Sequence, residues 1–128
     1  MTQEIPKIIK EVGFDFRWSE AKVWALEIEP EKMPISELVW HFDVPFWSLP
    51  DGHYNLKPID VINKPHEHEE EYKRIISADL NYPLDVMFWK NRWLFLDGLH
   101  RLAKAKILGQ EFVDVRKIPE SAIPLIQK

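Results

Sequence analysis

Asp97-Gly98-Leu99-His100-Arg101 gathers a carboxylate, an imidazole and a guanidinium around one glycine in five consecutive positions. Those are groups for handling a phosphate. An apolar, β-favouring run from Trp93 to Leu96 precedes them and a helix-favouring run from Leu102 to Leu108 follows, so they are predicted to form a strand-to-helix turn. A glycine at such a bend turns the chain without a Cβ clash, and Gly98 and Leu99 then present the first amide N–H groups of the helix to whatever lies in front of them. The helix dipole adds partial positive charge at that end, which suits a phosphate. Arg101 offers a planar fork for phosphate oxygens, His100 a ring N–H, and Lys104, one turn on, a further cation. Asp97 can bind a Mg²⁺ that bridges phosphates, or accept a proton from an acceptor hydroxyl.

Each residue also has a plain structural role open to it. Asp97 can cap the helix, His100 can bond a carbonyl, Arg101 can pair with an acid, and Lys104 can sit in solvent. Their joint placement at one glycine turn is the reason to read Asp97, Gly98, Leu99, His100 and Arg101 as a site.

Two other constellations invite chemistry. In Trp40-His41-Phe42-Asp43-Val44-Pro45-Phe46-Trp47 the aromatics suit a core or packed loop, while Trp47 or Trp40 can wall a nucleobase and His41, Asp43 or Glu37 can supply an acid or base. In His66-Glu67-His68-Glu69-Glu70 the two histidines are two apart and face different sides of a helix, so the run reads as a solvated acidic first turn rather than a metal site.

The elements that must position the turn follow from patterning. Ile5, Ile8, Ile9 and Val12 predict a short helix over 3–12 ended by Gly13, and Phe14, Phe16 and Trp18 an extended stretch. Lys22 to Ile28 alternates and reads as a strand; Ser36 to Phe42 reads as one or two helical turns with Ser36 as N-cap. Residues 47–65 read as loop with a short strand near Ile59 to Ile62. Pro65 opens a helix with Tyr72, Ile75, Ile76 and Leu80 as its buried stripe, closed by Pro83. Leu84 to Trp89 and Trp93 to Leu96 form a hairpin around Lys90-Asn91-Arg92, Gly109 ends the helix after Arg101, and Phe112 to Ile118 is the last strand. Glu29 to Lys32 reads as surface.

With 128 residues, 45% of them hydrophobic, and six Trp, the chain is sized for one ordinary α/β (α+β) domain over 1–128. It has no Cys, which excludes disulfides, thiolate catalysis and a thiolate metal cage. No window approaches the roughly 18 apolar residues of a membrane span. The expectation is a soluble, cytoplasmic protein with no membrane partner. A net charge of -4 argues against DNA as a direct partner, because duplex affinity comes mainly from neutralising phosphates.

The hairpin DVMFWKNRWLFL, then Asp97, Gly98, His100 and Arg101, then the small-residue helix with Ala103 and Ala105 ending at Gly109, then VDVRKIP, together resemble the ParB and sulfiredoxin superfamily. The resemblance covers about residues 33–120, leaving 1–32 as an N-terminal extension, and implies a mixed sheet with flanking helices and a nucleotide phosphate at the turn. Sulfiredoxins carry a catalytic Cys where this chain has Leu99, so their reductase chemistry is not expected. ParB proteins bind and hydrolyse CTP with this domain and follow it with DNA-reading and dimerisation regions; the chain stops about ten residues after its last strand, so a DNA reader is not expected. A third branch, similar to archaeal free serine kinase, implies phosphoryl transfer to a small hydroxyl acceptor. The resulting expectation is nucleotide binding (ATP, ADP or CTP, with Mg²⁺ as companion), serving phosphotransfer or nucleotide hydrolysis with Asp97 and His100 as the acid-base groups. The alternative is a non-catalytic nucleotide-sensing or partner-binding module, or an accessory to DNA partition. The oligomeric state is left open.

Overall fold

The hairpin holds the turn in place. In the computed structural model, which describes residues 6–50, 52 and 54–128, β2 (Leu84–Trp89) and β3 (Arg92–Asp97) pair antiparallel across a tight connection. Lys90 and Asn91 both take positive φ (51° and 67°), the twist-matched geometry of a two-residue hairpin. β4 (Phe112–Lys117) runs parallel to β2 on its other side, and β1 (Glu31–Pro34) pairs antiparallel with β4, giving a mixed sheet in the order β1-β4-β2-β3.

Alternation along β2 sorts the two faces. Leu84 and Val86 join Met33, Val113 and Val115 in one cluster, covered by α3 (Pro58–Asn63), α4 (Glu69–Ser77) and α5 (Leu99–Ile107) through Val61, Ile75, Leu102 and Ala103. Met87 faces the other way, into a cluster with Leu96 and Ile118 that α2 (Glu20–Trp24) and α6 (Ile123–Ile126) close through Val23 and Ile126. The molecule is thus a small α+β layering of helices on both faces of a four-stranded mixed sheet. Preceding α2, α1 (Lys7–Val12) ends at Gly13, and Lys90 Nζ donates to the carbonyls of Lys10 and Glu11 at its end.

The hairpin, α5 and β4 match the sequence reading; Gly109, at φ 74°, ends α5 with the Gln110 N–H bonded back to the Ala105 carbonyl at 3.0 Å. Several other segments differ. Lys22 to Ile28 is not a strand: the Ser19 hydroxyl accepts from the Lys22 N–H and starts the short helix α2, whose buried residue is Val23. Ile59 to Ile62 is helical rather than extended, because Pro58 sits in its first turn with φ preset and Asp60 complements the positive end. The helix expected from Pro65 is divided into a single 3₁₀ turn at Pro65–Glu67 and α4, with Ile75 buried and Ile76 exposed. Ser36 caps nothing; Ile35–Glu37 and Val39–Asp43 are consecutive 3₁₀ turns without a side-chain cap. Residues 3–5 of the first predicted helix lie outside the described residues. No helix among the described residues is long and apolar enough to cross a membrane.

Candidate functional site

β3 ends at Asp97 and α5 begins at Leu99, so Gly98 alone makes the bend, at φ 110° and ψ 17°. A Cβ there would stand 3.1 Å from Arg101 Nη1 and from Leu84 Cγ and 3.3 Å from Leu84 Cα, so a side chain would be strained by the backbone conformation and would crowd its neighbours. The first intrahelical bond runs from the Leu102 N–H to the Gly98 carbonyl at 3.0 Å, and no side chain caps the helix. The amides of Leu99, His100 and Arg101 therefore precede the hydrogen-bond ladder. Leu99 itself is buried and serves the site through its backbone only.

Asp97 does not cap α5. Its Oδ2 accepts from Trp24 Nε1 at 2.8 Å and from Arg101 Nη2 at 3.4 Å. Arg101 also donates from Nη1 to the Pro83 carbonyl at 2.7 Å, and the Tyr82 ring lies 5.9 Å from its guanidinium carbon. These bonds use two of the five guanidinium donors and hold the fork in one place. His100 Nε2 lies 2.9 Å from Glu71 Oε2 on α4, and its ring stacks on Trp47 at 4.5 Å and 13°. Lys104 turns elsewhere: its ammonium donates to the Ala78 carbonyl at 2.8 Å, joining α5 to the end of α4.

In front of the turn lies a cleft of about 1320 Å³, to which all five residues from Asp97 to Arg101 contribute. Phe46, Trp47 and Tyr54 line it as well, together with Asp79, Tyr82 and residues of the segment from Gly13 to Glu20. Its charged lining is predominantly cationic: Lys10, Arg17, Arg74, Arg101 and Lys128 against Glu20, Asp79 and Asp97. Lys104 is not part of it.

Behind the turn, Asp85 pairs with Asp97 across the hairpin and with Arg116 on β4, whose Nε donates to Asp85 Oδ1 at 2.6 Å. Burial pushes the Asp85 carboxyl up, against the bond from Arg116, and the neighbouring Asp97 charge adds to the rise.

The aromatic segment divides. Trp47 reaches the site through His100. Trp40 does not: its Nε1 donates to the Trp93 carbonyl, on the outer edge of β3. His41 is fully buried, with Nδ1 donating to the Leu38 carbonyl at 2.7 Å and Nε2 accepting from the Phe95 N–H at 3.2 Å. Its pKa is lowered to about 4, chiefly by burial, with the Leu38 bond opposing and Arg92 adding to the fall. Asp43 and Glu37 do not line the cleft.

Sequence reading missed Glu71, Trp24 and the Pro83 carbonyl. Glu71 stands in an acidic run whose members look alike; only the packing of α4 on α5 selects it, and no local signal marks it. Trp24 lies 73 residues before its partner Asp97. Among the described residues no group of three or more His, Asp or Glu is arranged to hold a metal ion.

Comparison of the chain with protein-family models, with curated proteins and with solved structures finds no match.

Proposed function

We propose that this chain is a domain of the ParB and sulfiredoxin type that binds a nucleotide, or a similar phosphorylated small molecule, with its phosphates at the Asp97 to Arg101 turn, and carries out Mg²⁺-dependent phosphotransfer or nucleotide hydrolysis. One observation carries the reading: the uncapped start of α5, bent at Gly98, opens on a cleft in which cations outnumber acids. The amides of Leu99 to Arg101 and the remaining Arg101 donors supply phosphate contacts, strengthened by the helix dipole. A cytoplasmic setting goes with this reading, since nucleotide cofactors are abundant there.

Mg²⁺ fits only as a companion of the phosphates. It is commonly held by one or two carboxylates plus phosphate oxygens, and both bonds to Asp97 fall on Oδ2, leaving Oδ1 to a metal. Bound there, the ion would neutralise phosphate charge during transfer. The same two bonds favour a second reading, in which Asp97 is a structural anchor and the turn senses a nucleotide without transforming it.

A thermal-shift screen of ATP, ADP and CTP, with and without Mg²⁺, tests the reading: a ligand of the folded state raises the melting temperature with concentration as [L]/Kd grows. Arg101→Ala is expected to lose at least ten-fold in nucleotide affinity, with a lower ligand-free melting temperature because the bond to the Pro83 carbonyl is also lost. A wild type that no nucleotide shifts at millimolar concentration would refute the proposal.

A further inference from the structure

We infer that Glu71 and His100 form a carboxylate–imidazole dyad in which Glu71 positions His100 as the general base for a hydroxyl acceptor, water or an alcohol, in the cleft. The inference deepens the phosphoryl-transfer reading of the site and rests on it.

His100 projects from the first turn of α5 and contributes to the cleft wall, whereas Glu71 does not line the cleft and stands behind the ring on α4. The 2.9 Å contact joins Glu71 Oε2 to Nε2, the ring nitrogen farther from the backbone. With the Glu71 carboxylate accepting, Nε2 carries a hydrogen, and in the neutral imidazole Nδ1 is then the acceptor. Two further contacts fix the pair. Trp47, its backbone bonded in both directions to Leu56 at 3.1 and 2.9 Å, stacks on the imidazole at 13° and sets the ring plane. Arg74 Nη1 binds the other Glu71 oxygen, Oε1, at 3.1 Å and holds the carboxylate. The Glu71 side chain is only 16% exposed, so it is shielded from competing water. An imidazole oriented by a carboxylate, with its other nitrogen left to take a proton, is the arrangement that activates hydroxyl nucleophiles.

The step balances without an added redox partner. His100 Nδ1 takes the hydroxyl proton as that oxygen bonds to the terminal phosphorus of a nucleoside triphosphate. The bond from phosphorus to the bridging oxygen breaks, and the nucleoside diphosphate leaves. Glu71 stabilises the imidazolium, which returns its proton to solvent. The phosphates are left to the helix amides and Arg101, so His100 is the catalytic residue and Glu71 the positioning residue.

Imidazole ¹⁵N NMR of the intact chain above pH 8, combined with phosphate release from ATP and CTP with Mg²⁺, separates the possibilities. The expected spectrum shows His100 protonated at Nε2 and unprotonated at Nδ1. Glu71→Gln is expected to keep nucleotide Kd within about two-fold while slowing phosphate release about a hundred-fold or more, the range of a lost oriented base, and to shift the acid limb of the pH profile; Glu71→Asp should recover part of the rate. If the wild type binds no nucleotide, the phosphate reading fails and the general-base role falls with it, while the NMR tautomer still reports whether the Glu71–His100 bond forms. If nucleotide binds but His100 is protonated at Nδ1, or Glu71→Gln releases phosphate at the wild-type rate, or the wild type releases none to water and to no small alcohol, the dyad is overturned.

Discussion

Two glycines of this chain share a positive φ and differ in what surrounds them. Gly109, at 74°, has nothing within 4 Å of an added Cβ, so Gly109→Ala should cost only the left-handed penalty of about 1 kcal/mol. Gly98, at 110°, adds close approach to Leu84 and Arg101, so Gly98→Ala should cost about 2–3 kcal/mol and distort the turn. Urea unfolding of the two variants checks both values; equal costs would show that space at Gly98 is unimportant. His41 gives a pH signature at the same scale. Its folded pKa of about 4 lies below its ordinary value of 6.5, so between those values the unfolded chain takes up a proton that the folded chain refuses. Stability is therefore full above pH 6.5 and is lost as pH falls towards 4, by roughly 3 kcal/mol in all. His41→Gln does not titrate, so the stability difference between the two proteins should change by about that amount, in the direction that disfavours the wild type at low pH.

Elements with a dense local signal could be read from the sequence, and those made by distant partners could not. The hairpin, α5 with its Gly109 stop, and β4 carry alternation, helical spacing or turn residues within their own span. α2 and α3 do not: a stretch as short as Lys22 to Ile28 or Ile59 to Ile62 alternates as easily as it winds, and the deciding facts were the Ser19 cap and the first-turn Pro58. β1 passed for surface because only Met33 is buried; its Lys32 and Glu31 pair with Asp114 and Lys117 across the sheet, a charged edge that resists pairing with other chains. Of the site, the turn was legible and its supports were not, since Glu71, Trp24 and Pro83 reach it only through packing. Arg116 is the clearest such support. Its guanidinium binds Asp85 and the carbonyls of Val23 and Leu26, tying α2 to the sheet. Arg116→Met should cost about 3–5 kcal/mol by leaving a buried carboxylate alone, and adding Asp85→Leu should restore part of it, the Val23 and Leu26 carbonyls staying without their donor. A double variant no more stable than the single one in urea would contradict this.

At the scale of the molecule, the cleft exists because the two layers meet at the end of β3. α4, α5 and the Trp47 loop supply one side. The stretch from Gly13 to Glu20 supplies the other, held by Trp18 Nε1 donating to the Leu96 carbonyl and by the Lys128 N–H donating to the Arg17 carbonyl. The sheet thus places a bent helix start at a cleft whose charged lining holds more cations than acids. An amide ¹H–¹⁵N NMR titration of the whole chain with ATP and with CTP, each with Mg²⁺, tests this most directly. The amides of Leu99, His100 and Arg101 should show the largest, saturable shifts, reduced in Arg101→Lys. Amides at the turn that stay unmoved at saturating nucleotide, or shifts confined to surfaces away from the cleft, would contradict it.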